Sequence, residues 1–440
     1  MLTRPDCVTG KRLPPTALNN FATIFVAFAL AALGWRLWLL ARHARHVARH
    51  RGRVPEDFAA VVPPEAHARA ADYTRDKVRV AMAEAAFVDG ALVLAMSVGG
   101  GLALLDGASR SLFGEGYARD LATVFGFLAV GAAASLPFDA WRTFGVEARH
   151  GFNQTTVATF VADMAKALAL AAALGTPLVL AVCWFIEATG AWWWVWAWAA
   201  WVAFTLLLVA VFPRWIAPLF NKFTPLEEGE LRSRIEALVA RCGFRAEGLY
   251  VMDGSRRSSH GNAYFTGFGR AKRIVFFDTL VQRLTQGEIE AVLAHELGHF
   301  ARGHIPRLLA VRFTLAFVLL AVLGWAAREP AFAAALGLAS PPPTGALLAA
   351  FMLVVPVFTF PFQPLASLLS RRQEFEADEF AASHANADDL VSALGKLYRD
   401  NAATLTPDPL HSLVYDSHPP AALRIAHLRH LAARPDGVAA

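Results

Sequence analysis

Long apolar runs alternate with polar, arginine-rich connections along most of this chain. Seven runs reach the length that carries a helix across a hydrocarbon layer of about 30 Å. They are Asn20–Leu40, Phe87–Leu105, Leu121–Phe138, Ala167–Ile186, Trp192–Phe212, Leu308–Ala327 and Gly345–Leu369. The third contains Pro137. Trp35-Arg36-Leu37-Trp38 makes a poor signal-peptidase site, so the first run reads as a retained anchor. Two polar blocks interrupt the series. In the first, Leu226–Cys242 has the apolar spacing of an amphipathic helix ended by Gly243. Gly248–Met252 reads as a strand, and Ala263–Phe268 and Arg273–Phe277 as two more around the turn Gly269-Arg270-Ala271-Lys272. Thr285-Gln286-Gly287-Glu288 has the form of a capping box, and Ile289, Val292, Leu293 and Leu297 continue it as one helical face. The second block is mostly helical, with breaks at Pro407, Pro409 and Pro419-Pro420.

The pattern predicts a mostly α polytopic membrane bundle of about seven spans, with a small α+β domain completed by a C-terminal helical segment. Its parts are 1–212 with five spans, 213–307 as the α+β core, 308–369 with two spans, and the C-terminal segment 370–440.

Composition sharpens this reading. Of 440 residues 56% are hydrophobic and only 18% charged, and the net charge is +5. A basic balance can signal nucleic acid, but here the cations flank the spans: Arg42, Arg45, Arg49, Arg51 and Arg53 follow the first. That is the positive-inside bias. It places the N-terminus outside, both polar blocks in the cytoplasm, and leaves nucleic-acid binding without support. Trp192, Trp193, Trp194, Trp196 and Trp198 mark the outer interface of the fifth span. Cys7, Cys183 and Cys242 form no CxxC pair, and Cys183 and Cys242 read as apolar fillers. An Ala- and Arg-rich chain without an evident organelle signal suggests a bacterial inner membrane.

Chemistry concentrates in His295-Glu296-Leu297-Gly298-His299. Imidazoles four residues apart share a helix face and can reach one zinc ion, and Glu296 is placed to move a proton of the attacking water. Catalytic zinc takes a third protein ligand. The metzincin solution requires Gly and His where this chain has Arg302 and Ile305. His304 would stand about 140° round a continued helix and miss the metal, so it reads as an exposed or loop histidine. A carboxylate from another helix remains. Glu374 and Asp378 lie four apart in Arg371–Asp378, so Glu374 can be the ligand while Asp378 accepts the free N–H of a ligand histidine. Glu376 falls about 200° away and reads as a solvated group or an Arg372 partner.

These residues, with Glu147–Asn153, Ser258–Phe265, Arg273–Leu280, Phe375–Asp378 and Ser417–Pro420 plus Arg424, resemble the type I CAAX prenyl proteases. Gln373 and Glu376 depart from that pattern, which usually has an aromatic residue and Gln there. The resemblance implies an integral-membrane zinc endopeptidase whose spans enclose a chamber, with zinc at its cytoplasmic end. It implies that the strand bearing Asn262 and Tyr264 pairs with the substrate backbone. It also implies that His418 and Arg424 lie near the scissile carbonyl or the substrate terminus. The substrate would be a peptide or membrane protein, with a prenylated C-terminus in eukaryotic relatives and misfolded membrane proteins as the bacterial alternative. A zinc-binding transporter or scaffold is the rival of another class, though neither needs Glu296.

Overall fold

A computed structural model describes residues 15–266 and 271–433. The membrane part begins with helix α1 (Pro15–His50). Helix α2 (Pro64–Glu84) continues through a π-helical stretch, Ala85–Leu92, to Met96. Helices α3 (Gly101–Phe113), α4 (Tyr117–Ala140), α5 (Val157–Ala188) and α6 (Trp193–Val211) follow. Among the described residues six helices are long and apolar enough to span, or seven if one bent pair counts as a single span. That pair is the second predicted run. Its helix breaks at Gly99-Gly100-Gly101, where Gly100 has φ +78, and the two arms meet at 61°. Only glycine adopts that backbone without strain. By contrast Pro137 sits inside α4 without ending it, as membrane helices tolerate where neighbours satisfy the freed carbonyl.

The polar block carries β1 (Phe223–Pro225), α7 (Glu230–Arg241), β2 (Arg245–Met252), β3 (Ala263–Thr266), β4 (Ala271–Phe277) and α8 (Gln286–Ala301). The sheet order is β1-β2-β4-β3. β3 and β4 form the expected antiparallel pair, with Tyr264 opposite Val275. The pattern did not announce β1, which has three residues, nor the parallel pairing of β2 with β4. Gly269 and Arg270 of the expected turn lie outside the described residues. Ile235, Leu238, Ile274, Phe276, Ile289, Leu293 and Leu297 build one core beneath the sheet, so the amphipathic faces read from spacing meet each other here.

The chain then re-enters the bundle as α9 (His304–Ala326) and α10 (Thr344–Thr359), and leaves it as α11 (Gln363–His384). α10 and α11 join through one 3₁₀ turn and together form the most enclosed span, with 44% of its most apolar window buried against 22% or less elsewhere. Helix α11 runs unbroken past residue 369, from span into polar block. Helices α12 (Ala387–Asp400), α13 (Pro409–Tyr415) and α14 (Ala421–Ala432) close the unit. A cavity of about 690 Å³ lies within the bundle, lined by Leu33, Arg36, Asp89, Met352, Gln363 and Tyr415 among others.

Candidate metal centre and active site

Helix α8 starts at a complete capping box: the Thr285 side chain accepts from the Glu288 N–H and Glu288 accepts from the Thr285 N–H. It packs along α11, and Gly298 makes that packing close. A Cβ there would stand 3.0 Å from Ala377 Cα and 3.0 Å from Phe380 Cβ. The close approach brings His295 and His299 of α8 onto Glu374 of α11. His295 Nε2 is 3.5 Å from Glu374 Oε2, and His299 Nε2 is 3.4 Å from Glu374 Oε1. One donor atom from each lies within 4.8 Å of the others.

Three observations bear on whether a divalent metal fits. Donors on a tetrahedral zinc stand about 3.3 Å apart, close to the two spacings above. Glu374 Oε2 is buried yet makes no aligned hydrogen bond, although His418 Nδ1 is 2.8 Å away. The buried charges are Glu374 and Asp378 against Arg424 alone, two negative and one positive, so a dication meets a net negative site. The residues therefore fit the ion.

Each imidazole is anchored through its other nitrogen. His295 Nδ1 lies 2.9 Å from Asp378 Oδ1, and as donor to that carboxylate it leaves Nε2 free for a metal. Asp378 is itself gripped by Arg424, whose Nε and Nη2 donate to the two carboxylate oxygens at 2.9 and 2.6 Å. Arg424 is buried and its Nη1 is 3.4 Å from Glu374 Oε2. Its guanidinium thus braces the two carboxylates at the metal centre. A bidentate fork matched to an acceptor pair is the physical reason.

The expectation for His304 is corrected. Helix α8 ends at Ala301, and Gly303 at φ +68 turns the chain so that His304 opens the next helix. Its ring is buried, with Nδ1 2.9 Å from His299 Nδ1 and Nε2 3.0 Å from Glu376 Oε2. Glu376 pairs there and not with Arg372. One continuous helix would carry His304 about 140° round from His299. Gly303 was the signal against that continuity.

Glu296 is half-buried, and among the described residues its carboxylate has no hydrogen-bond partner. His418 is 62% exposed on the open side of Glu374. Asn262 is exposed at the start of β3, its carbonyl accepting from the Phe277 N–H at 3.0 Å. Tyr264 follows on the same edge strand, which packs on α8 through Phe265 and Phe300 at 6.1 Å. Ahead of that strand, His260 stacks on Phe152 at 4.4 Å and faces Glu147 at 3.5 Å. Those contacts pin the loop after α4 against the strand edge.

Fold and site together define a membrane-embedded metallopeptidase. Residues 43–222 match the family described as CAAX prenyl protease N-terminal, five membrane helices, and residues 225–432 match Peptidase family M48. The CAAX prenyl protease 1 homolog of Homo sapiens is 32% identical over 91% of this chain and 94% of its own length. The CAAX prenyl protease 1 homolog of Arabidopsis thaliana is 39% identical over 66% of this chain and 68% of its own. The crystal structure of S. mikatae Ste24p superposes with a TM-score of 0.83 at 29% identity, covering 93% of this chain and 99% of that one. The chain belongs to the CAAX prenyl protease 1 family.

Proposed function

We propose that the protein is a zinc-dependent endopeptidase that cuts peptide bonds at the cytoplasmic face of the membrane. The observation that carries this is the convergence of His295, His299 and Glu374 from two helices, with Glu296 beside them. When bound, zinc supplies Lewis acidity to the scissile carbonyl and to the attacking water. His295, His299 and Glu374 hold it. Glu296 takes the proton from that water and returns it to the leaving amine. His418 stands on the open side, where its N–H can donate to the oxygen that gains charge. β3 is an edge strand, so one row of its backbone groups is open to an added substrate strand from Asn262 onward. Asp378, Arg424, His304 and Glu376 orient the ligands.

For substrate we infer a peptide with a prenylated C-terminal cysteine, on the ground of the relatives' names. Arginines after α1 support a cytoplasmic site with the N-terminus outside, and composition supports a bacterial inner membrane.

The test pairs metal analysis with cleavage. Glu296→Ala should retain one zinc per chain and lose about 10²–10⁴ in turnover. Wild-type cleavage by that variant overturns the assignment of the base. Comparing prenylated and unmodified peptides with a misfolded membrane protein tests the substrate. Cleavage of the misfolded protein alone transfers the function to membrane-protein quality control.

A further inference from the structure

Where α6 ends, the chain turns out of the bundle through Phe212–Ile216 and Ala217–Phe220 and enters β1. Trp215 is 73% exposed at this corner, beside exposed Phe212 and Leu219. The amphipathic ring of a tryptophan settles at a membrane interface. A recess of about 510 Å³ opens between the corner and the sheet, lined in part by Lys222, Phe223, Tyr250, Arg256 and Arg273. A second recess of about 310 Å³ shares Tyr250 and Arg273 and continues onto Val209, Ala210 and Pro213 of the span. The Arg273 guanidinium therefore sits between a cationic hollow and an apolar helix surface.

That guanidinium lies 4.2 Å from the Tyr250 ring centre and 5.7 Å from that of Phe223, and its Nη1 donates to the Pro213 carbonyl at 3.2 Å. Its Nε is buried without a hydrogen-bond partner. A buried cationic N–H left unpaired is costly. Among the described residues no carboxylate comes within ion-pairing distance of Arg273, Lys222 or Arg256. The neighbouring Arg257 is fully engaged, with Nε and Nη2 on the two oxygens of Asp163 at 2.8 and 3.0 Å. Glu247, the acid lining the second recess, approaches Arg214 at 3.7 Å. Topology alone accounts for basic residues beside a span. It does not account for three of them converging on one hollow with an orphaned N–H.

We propose that this hollow binds the phosphate of an anionic phospholipid. Lys222, Arg256 and the Arg273 guanidinium hold the headgroup, and an acyl chain lies along Val209 and Ala210. Phosphate oxygens suit this donor set, and each cation at the surface adds to the attraction.

The full chain is reconstituted in nanodiscs of phosphatidylcholine, with and without phosphatidylglycerol, and lipid retention is read by native mass spectrometry. The wild type should retain phosphatidylglycerol on the order of tenfold more tightly than phosphatidylcholine. The double variant Lys222→Gln/Arg256→Gln, at two exposed positions, should lose that preference while keeping peptide hydrolysis in detergent. Arg273→Gln should lose it too. Equal retention of the two lipids by the wild type, or a preference that survives in the double variant, overturns the proposal. In a further arm, inorganic phosphate is added to the phosphatidylglycerol discs. Displacement of the retained lipid at low millimolar phosphate assigns the hollow to a soluble anion and overturns the lipid source. Retention undisturbed by phosphate supports the lipid.

Discussion

Gly298→Ala tests whether the close approach of α8 and α11 is what makes the metal centre. In a helix interior alanine is favoured over glycine by about 1 kcal/mol. Here the added Cβ would meet Ala377 Cα and Phe380 Cβ at 3.0 Å and the Ala377 carbonyl oxygen at 3.1 Å. Ordinary carbon contacts lie near 3.5–4.0 Å, so α11 must retreat by a few tenths of an ångström. Overpacking of this kind costs about 1–3 kcal/mol. The two effects leave a net loss of about 0–2 kcal/mol, and the protein stays folded. The metal centre has less latitude. Glu374 lies one turn from Ala377 on the retreating helix, and ligand distances tolerate only about 0.2 Å. Zinc affinity should therefore fall by at least about tenfold, while the thermal midpoint moves little. Competition with a chromophoric chelator in detergent measures the affinity, and calorimetry the midpoint. Gly107→Ala, with no neighbour within 4 Å, serves as the control that leaves zinc binding unchanged. Wild-type zinc affinity in Gly298→Ala would refute the reasoning.

His304→Ala should lower zinc affinity about 10–100-fold by releasing the His299 ring, with Glu376→Gln milder; an unchanged zinc dissociation rate would show that the ring needs no such anchor. Arg424→Met leaves Asp378 buried and without its guanidinium, and should cost about 3–5 kcal/mol, read as a drop in the thermal midpoint of metal-free protein. Glu288 gives a pH signature. Burial raises its carboxyl, but hydrogen bonds from Lys396 and Ser392 outweigh that and hold it below the usual carboxylate range. Its contribution is thus present above the unfolded value of about 4.3 and fades as pH falls through the lower folded value. Acid titration of the midpoint should show this loss in the wild type but not in Glu288→Gln, and identical acid limbs would remove Glu288 from the account.

The sequence by itself determined the spans, the α8 start and the ligand candidates, because these depend on local rules. Apolar run length answers to bilayer thickness, the capping box to four adjacent residues, and the His295–His299 spacing to one helical turn. Even Glu374 and Asp378 were readable as a pair, since they too sit one turn apart. Tertiary structure decided everything that joins distant segments. Arg424 could not be placed from its neighbours, because its partner Asp378 is on another helix. His304 was misread because a single left-handed residue, Gly303, redirects the chain. The parallel β2–β4 pairing and the break at Gly100 likewise arise from contacts or backbone states that no periodicity carries. A repeat of 3.6 or 2 residues reports which face of an element is apolar. Only packing determines which two faces meet, and here that meeting, permitted by a missing side chain at Gly298, assembles the site.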